Sequence, residues 1–433
     1  MRDCYQIKCG QLNNGLRFYT QHDRDHSKEL AVICVMAGSM HGVGSYISHL
    51  VEHCICNELP KLSQEELDLL LWRTTGGPDD NIYITTDRSV TTYGPADTIK
   101  KKHNRLIFPL FAEMIKNPFV SEDTLLLEKA AIHNEHYLRG EDAGLEANID
   151  DILLRAILSS KHPASEVVDG DMKKVQTATV NDVKNHHRKY YVPANIFVVF
   201  LGPSHQEVKL LVEREFGDWG KNWGPRKNQL YGFKKCRGRC RSPIRANIEK
   251  YESRPGLHQH HVIVGFPTTT YTSTDSEALD VLARILSGRM YHELRTKNHD
   301  WGKGCYRAPV FTHSSFTHGF LGFHFATLDE NYLRYGINAF YRQCDDICKQ
   351  LVRREELDAW RGYILDYEYT DAFQRGPGNL MEMIITAVAN GDLNLKQLHE
   401  RGDKLKQLTR HQILYVAKKY LTGPSAKVII SPK

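Results

Sequence analysis

The stretch TVNDVKNHHRKYYVPANIFVVF, residues 179–200, has a counterpart later in the chain, TRHQILYVAKKYLTGPSAKVII, residues 409–430. At this offset of 230 positions, Tyr190 meets Tyr420, and the apolar run that starts at Val198 meets the one that starts at Val428. Each copy has the pattern of an amphipathic helix, a turn with Pro or Gly, and an apolar strand. The sequence therefore predicts the same structural unit twice.

The beginning of the chain repeats at the same offset. VICVMAG, residues 32–38, falls on VIVGFPT, residues 262–268. One shared offset over such a distance indicates a duplication, and two copies are too few for a solenoid. We predict an α+β protein of two similar domains, each a mainly antiparallel sheet packed with helices. The first would span 1–220 and the second 257–433, joined by a linker at 221–256 that is rich in Gly, Pro and basic residues.

Composition limits the classes of partner. The chain has 433 residues, of which 25% are charged, and its formal net charge is only +5. That charge does not favour nucleic acid or an anionic membrane surface as a partner. No apolar run approaches the roughly 20 residues of a membrane span, and the first residues lack the apolar core of a signal peptide. We expect a cytoplasmic protein with no nucleic-acid or membrane partner.

Local patterns place the elements of the first copy. ELAVICVMAG, residues 29–38, predicts a strand that is apolar enough to be buried on both faces. A helix is expected at about 45–56, strand structure at 81–95, and two long helices at 96–116 and 121–139. Alternation of strands and helices suggests a sheet with helices on one face.

The helix at 45–56 carries the motif HLVEH, residues 49–53. His49 and His53 are four residues apart, so a helix places both imidazoles on one face, one turn apart. This geometry can hold one metal ion with Zn–N distances of about 2.0–2.1 Å. With Glu52 between them, the order His-x-x-Glu-His is the inverzincin signature. A catalytic zinc also needs a third protein ligand and an open position.

The helix at 121–139 offers candidates for the third ligand. Glu128 and Glu135 are seven residues apart, on one helical face, among apolar residues. Carboxylates on a largely apolar stripe are seldom buried without a partner, and a metal is one such partner. His136 competes with Glu135 for the role of ligand.

The alternative is that these polar residues are only structural. At the offset of 230, His49, Glu52 and His53 fall on Leu279, Leu282 and Ala283 in an ordinary apolar helix, and Glu135 falls on Leu365. The fold therefore tolerates apolar residues at these positions. Polar residues in the first copy favour a functional role.

With these residues in hand, almost the whole chain resembles the pitrilysin, insulysin and mitochondrial processing peptidase family of zinc peptidases, in its half-size, two-domain form. The blocks GLRFYTQ, VMAGS, HLVEH, EKAAIHNE and KYYVPANIFVVFLG occur in the family's order. The segment ILSGRMYHELRTKNHDWGKGCY, residues 285–306, resembles the family's Gly-Arg-Leu to Leu-Arg to Tyr segment.

The resemblance implies a role for each motif residue. It makes His49, His53 and Glu135 the ligands of one Zn²⁺, Glu52 the general base, and Glu128 a further catalytic glutamate that supports the site. The domain at 1–220 would then be the catalytic, zinc-binding one, and the second domain would be free of metal.

The resemblance also implies residues that hold the substrate. Arg295 and Tyr306 match the family's substrate-binding arginine and tyrosine. The family's substrate strand is matched loosely by residues 81–95, with Asn81 and Thr91 as its nearest equivalents.

Function follows from the resemblance as an expectation. The chain would be a zinc-dependent endopeptidase that cleaves short or unfolded peptides inside a chamber formed by two chains. The second chain would be another copy or a related, non-identical chain. The alternatives are a catalytic subunit of a heterodimeric peptidase that processes a precursor peptide, and a scaffold subunit without catalysis.

Overall fold

The computed structural model describes residues 7–22, 28–42, 44–57, 59, 62–75, 82–137, 149–158, 160, 162–168, 170–224, 229–230, 244–296, 305–370 and 377–432. Asn81 lies outside these ranges. Within them, no helix combines the length and the apolar character that crossing a membrane requires.

The described strands form two sheets, and the predicted α+β fold class is confirmed. The first sheet has the order β1-β2-β7-β3-β5-β4, with β6 paired to β3, and only β2 and β7 are parallel. Its strands are β1 Ile7–Gln11, β2 Arg17–His22, β3 Lys28–Val35, β4 Ile82–Thr86, β5 Thr91–Pro95, β6 Ile99–Lys100 and β7 Ile196–Gly202.

The second sheet has the order β10-β11-β9-β12-β8, and only β12 and β8 are parallel. Its strands are β8 Ile248–Ser253, β9 His260–Pro267, β10 Val310–Ser314, β11 Gly319–Thr327 and β12 Ala426–Ser431. Read from the other end, the second sheet has the order β8-β12-β9-β11-β10. The strands β2-β7-β3-β5-β4 of the first sheet match it pair by pair, with one parallel pair followed by three antiparallel pairs. The duplication is therefore visible in the strand topology.

The copies also agree in register. Val32 of β3 lies opposite Val199 of β7, and Val262 of β9 lies opposite Ile429 of β12, which is the same pair moved by 230 positions. The helix before each of these strands starts with a capping box, at Thr179 and Asp182 in the first copy and at Thr409 and Gln412 in the second. The sequence repeat thus corresponds to one repeated backbone unit.

Fourteen helices are described. They are α1 Tyr46–Ile55, α2 Gln64–Thr75, α3 Lys101–Lys116, α4 Glu122–Tyr137, α5 Ile149–Ile157, α6 Met172–Thr177, α7 Val180–Tyr190, α8 His205–Phe216, α9 Ser276–Tyr291, α10 Glu330–Lys349, α11 Arg354–Tyr363, α12 Pro377–Ala389, α13 Lys396–Gln407 and α14 Arg410–Leu421. Short π-helical segments, His292–Thr296 and Ile364–Thr370, continue α9 and α11.

Two local predictions need correction. The segment at 81–95 is not one strand but a hairpin of β4 and β5, closed by a hydrogen bond from Asp87 N–H to the Val90 carbonyl. The helix expected at 96–116 begins only at Lys101, because Ile99 and Lys100 pair with β3 as β6. The strand predicted at 29–38 is confirmed as β3, in which every residue after Lys28 is buried.

Each sheet is covered by helices on both faces, not on one as the sequence suggested. On the second face, the covering helix comes from the other half of the chain. Residues of α12, such as Ile384 and Val388, pack with Val32 and Val199 of the first sheet. Residues of α5 pack in the same way with the second sheet. The core of each sheet therefore includes a helix from the other half of the sequence.

The predicted domain limits, 1–220 and 257–433, stay a prediction. The interval predicted as a linker, 221–256, includes β8, which pairs with β12 as the edge strand of the second sheet. Much of the remaining interval lies outside the described residues.

The packing of α12 on the first sheet leads to a stability prediction. Ile384 is fully buried against the first sheet, so Ile384→Ala removes apolar contacts and leaves a cavity there. We expect the free energy of unfolding to fall by about 2–5 kcal/mol. Hydrogen exchange should accelerate more in β3 and β7 than in β9 and β11, although the mutation lies in the second half of the sequence.

Ile285→Ala is the matched control, because Ile285 of α9 is equally buried but packs in the core of the second half. That variant should accelerate exchange mainly in β9 and β11. Unchanged exchange in β3 and β7 of Ile384→Ala would show that α12 does not stabilise the first sheet.

Candidate metal centre

Helix α1 carries the motif in a buried setting. Nine of its ten residues are buried, including His49 and Glu52. Ionisable side chains are rarely buried unless they are paired or bind a metal. The facing helix α4 brings Glu128, which is buried, and Glu135, which is partly exposed. With His53, the two helices thus bring five ionisable groups close together.

Three of the ligand atoms predicted from the sequence meet there. The Nε2 atoms of His49 and His53 are 3.2 Å apart. The Oε2 atom of Glu135 lies 3.3 Å from Nε2 of His49 and 3.4 Å from Nε2 of His53. The three atoms form a nearly equilateral triangle.

This triangle fits a tetrahedral zinc ion. With bonds of about 2.0–2.1 Å, the ligand atoms of such an ion are about 3.3–3.4 Å apart. The triangle of Nε2, Nε2 and Oε2 leaves the fourth corner for a non-protein ligand. His49, Glu52 and His53 also have ligand atoms within 4.8 Å of one another. The Oε2 atom of Glu135 thus occupies the third corner of the triangle, at nearly equal distances from the two Nε2 atoms.

His53 has a carboxylate at each of its ring nitrogens. Oε2 of Glu128 is 2.7 Å from Nδ1, while Oε2 of Glu135 approaches Nε2. Burial by itself would lower the pKa of His53, but these hydrogen bonds and the charge of Glu52 raise that pKa to about 10. Without a metal, His53 is therefore protonated at neutral pH. A metal would replace the proton at Nε2, since imidazole binds metals in its neutral form.

Glu52 is chemically different from the other two glutamates. Its Oε2 atom is enclosed and has no hydrogen-bond partner among the described residues. Burial raises the pKa of Glu52, whereas His49, His53 and a hydrogen bond with the Thr86 hydroxyl oppose the rise. A carboxyl group with a raised pKa and a free oxygen suits proton transfer.

The second copy has no such chemistry at the equivalent positions. Leu279, Leu282 and Ala283 of α9 are buried in an apolar core, and Leu365 packs against it.

His136, the alternative third ligand, has a ring contact with Tyr137, whereas Glu135 reaches the two histidines.

The structure brings the two predicted substrate residues together in the second half. Nη1 of Arg295 donates a hydrogen bond to the Tyr306 carbonyl at 2.7 Å. The guanidinium lies 5.5 Å from the ring centroid of Tyr291 and 5.3 Å from that of Tyr306. The Tyr306 side chain is 77% exposed. Asn81 lies outside the described residues, and Thr91 donates a hydrogen bond to the Ala37 carbonyl inside the first half.

Two residues of the site were missed from the sequence. Thr86 contacts Glu52 from strand β4, and Asn57 contacts Glu128 from the end of α1. Asn57 lies four residues after His53, so the spacing of the two histidines, continued by one turn, reaches it. No local pattern singles out Thr86.

These elements define a class of protein: a duplicated α+β fold whose first half joins a His-x-x-Glu-His helix to a glutamate-bearing helix. Comparison with known proteins agrees. Residues 177–361 match a family model described as the peptidase M16 inactive domain. This segment begins after the candidate ligands, so the description concerns a part of the chain that contains none of them.

A curated relative is also similar to this chain. The chain is similar to "Zinc protease PqqE" of Helicobacter pylori, with 22% identity over 242 residues, 56% of this chain and 51% of that relative. The chain thus spans about half the length of the curated relative that it matches. These matches relate the chain to the M16 peptidase family, with a zinc protease among its relatives.

Solved structures support the fold over the whole chain. A protease from Helicobacter pylori has a TM-score of 0.83 at 18% identity, over 99% of this chain and 100% of that one. A peptidase M16 inactive domain from Pseudomonas fluorescens has a TM-score of 0.80 at 15% identity, over 99% of this chain and 98% of that one. The fold is that of M16-like peptidases.

The triangle of ligand atoms generates a prediction about metal content. The chain should bind one zinc ion, and Glu135→Gln should lower zinc affinity by at least tenfold, since an amide replaces an ionised ligand. Equilibrium dialysis followed by elemental analysis measures both stoichiometry and affinity.

The control is Glu122→Gln, which makes the same change at an exposed position of α4. It should bind zinc like the wild type. If Glu135→Gln also binds zinc like the wild type, Glu135 is not a ligand and His136→Ala becomes the variant to test.

Proposed function

We propose that the chain is the catalytic subunit of a zinc-dependent endopeptidase. The observation that carries this proposal is the triangle of His49, His53 and Glu135, with sides that match a tetrahedral zinc ion. The relation to M16 peptidases and to a zinc protease supports it. Zinc, when bound, would polarise the scissile carbonyl and make a water molecule more acidic.

The chain's own residues have distinct tasks in this proposal. Glu52 takes a proton from the attacking water and later gives it to the amine nitrogen that leaves. Its burial and raised pKa suit both steps, because a carboxyl group must both accept and release the proton near neutral pH. Glu128 accepts a hydrogen bond from Nδ1 of His53 and thereby keeps Nε2 directed at the metal position.

Substrate binding is assigned to two regions. Among the described strands, β4 lies at one edge of the first sheet, and an extended peptide can add to a sheet edge by main-chain hydrogen bonds. Arg295 and Tyr306 form the second region, where a guanidinium can bind a peptide carbonyl or a developing oxyanion. Their contacts lie within the second half, so we assign them to the site of a second chain, either another copy or a related one.

A non-catalytic scaffold subunit is the second candidate function. It is favoured by the match of residues 177–361 to a model described as an inactive domain. The match does not reach the helices that carry the candidate ligands. The complete set of His49, Glu52, His53 and Glu135 therefore favours the catalytic subunit.

The first test separates chemistry from metal binding. Glu52→Gln preserves size but removes the base, so peptide hydrolysis should fall by about 10²–10⁴-fold while zinc content stays the same. Hydrolysis of a mixture of short unstructured peptides can be followed by mass spectrometry. Glu277→Gln is the matched control, because Glu277 of α9 is buried to the same extent as Glu52.

Glu277→Gln should keep both zinc and activity. A Glu52→Gln variant with near wild-type turnover contradicts the role of Glu52. A wild-type chain that binds zinc but cleaves no peptide, alone or with a related chain, supports the scaffold instead.

The second test asks whether a homodimer shares its sites. Glu52→Gln and Arg295→Ala are prepared separately, each nearly inactive, then mixed in equal amounts under conditions of subunit exchange. If Arg295 acts on the other chain's metal centre, each mixed dimer has one site with both residues intact. Half the dimers are mixed, so about a quarter of wild-type activity should return. Continued inactivity, with exchange shown by native mass spectrometry, contradicts the shared site.

A further inference from the structure

Asn57 links the end of helix α1 to helix α4. Its side-chain amide donates a hydrogen bond to the His53 carbonyl at 3.1 Å and another to Oε1 of Glu128 at 2.6 Å. The second oxygen of Glu128 is 2.7 Å from Nδ1 of His53. The three residues therefore form a closed loop of contacts, in which each oxygen of the Glu128 carboxylate has its own donor.

The loop determines where the Glu128 carboxylate lies. A glutamate side chain has three rotatable bonds, and this one reaches from α4 to a ring on α1. Contact with His53 alone fixes one oxygen and leaves the carboxylate free to turn about that contact. The amide of Asn57 fixes the other oxygen. Because Glu128 is buried, losing this donor would leave Oε1 without a partner and favour a different rotamer.

The position of Glu128 in turn determines how His53 presents Nε2. A carboxylate at Nδ1 holds the proton there, orients the ring and makes Nε2 a better metal ligand. Nε2 is the atom that lies in the triangle with His49 and Glu135. An effect on the Glu128 carboxylate is therefore transmitted to the metal position through one imidazole ring.

We propose that Asn57 is a positioning residue of the metal centre, which slows the loss of metal by holding Glu128 against His53. The inference rests on the proposed zinc site and extends it by one residue. The amide group suits the position because its nitrogen has two N–H donors, one for the His53 carbonyl and one for Glu128. A carboxylate of the same size would place an acceptor against two acceptors.

The test measures zinc release from the 433-residue chain. The zinc-loaded protein is mixed with excess chromophoric chelator, and the rate of release is followed by absorbance. Asn57→Asp should release zinc about tenfold faster than the wild type, the lower end of the range for residues that support metal ligands. Asn57→Ala should act in the same direction by a smaller factor, since it removes the donor without adding a charge.

Asn117→Asp is the matched control. Asn117 directly follows α3, and Asn57 is the second residue after α1. The Asn117 amide donates to Oε1 of Glu113 four residues earlier at 3.1 Å, at an exposed place. The control thus repeats the change of an amide to a carboxylate beside a glutamate at a helix end. Its zinc release should equal that of the wild type.

A double-mutant cycle separates positioning from a general effect on the helix end. In a Glu128→Ala background, Asn57→Ala should no longer alter zinc release, because the side-chain oxygens through which it acts are absent.

The outcomes are distinct. Zinc release from both Asn57 variants at the wild-type rate overturns the inference and leaves the proposed function intact. An effect of Asn57→Ala that persists in the Glu128→Ala background also overturns it. A wild-type chain that binds no zinc overturns the proposed function and, with it, this inference. If Asn57→Asp does not fold, Asn57→Ala and its cycle decide.

Discussion

The candidate site depends on one imidazole ring that has a carboxylate at each nitrogen. The carboxylate of Glu128 contacts Nδ1 of His53, and that of Glu135 contacts Nε2. Both glutamates lie on the same face of α4. Their spacing of seven residues, about 10.5 Å along a helix, allows one side chain to reach each edge of the ring. Because the ring belongs to α1, this arrangement fixes how α1 and α4 lie against each other. His49 and Glu52 follow from the helical geometry of α1, and Glu135 of α4 and Thr86 of β4 contact them.

The fold supplies a rigid base for these two helices. Helix α1 follows β3, a strand buried on both faces, and packs in the core of the first half. The opposite face of the same sheet is covered by α12, which comes from the second half. The first sheet is therefore packed between α1 and α12, although no residue of α12 belongs to the candidate site. The sheet and these two helices form one packed unit.

The sequence predicted the features that depend on spacing. The offset of 230 positions anticipated the shared strand order, and the i,i+4 histidines anticipated a common helical face. Predictions from the sequence were wrong or incomplete where contacts between distant segments determine the structure. The turn at Asp87–Val90 has no Gly or Pro to reveal a hairpin. The apolar faces of α5 and α12 do not indicate which sheet they cover. Thr86 and Asn57 are ordinary polar residues until α1, α4 and β4 are brought together.

The second copy shows the same helix with apolar residues at the positions of the candidate ligands. The same backbone there buries Leu279, Leu282 and Ala283, which need no partners and add apolar contacts. In the first copy, His49 and Glu52 occupy equally buried positions, where ionisable groups are costly unless they are paired. Packing alone therefore favours the apolar version of this helix. The polar version is stabilised by contacts from neighbouring elements, since Glu128 and Glu135 of α4 contact the two ring nitrogens of His53 and Thr86 of β4 contacts Glu52.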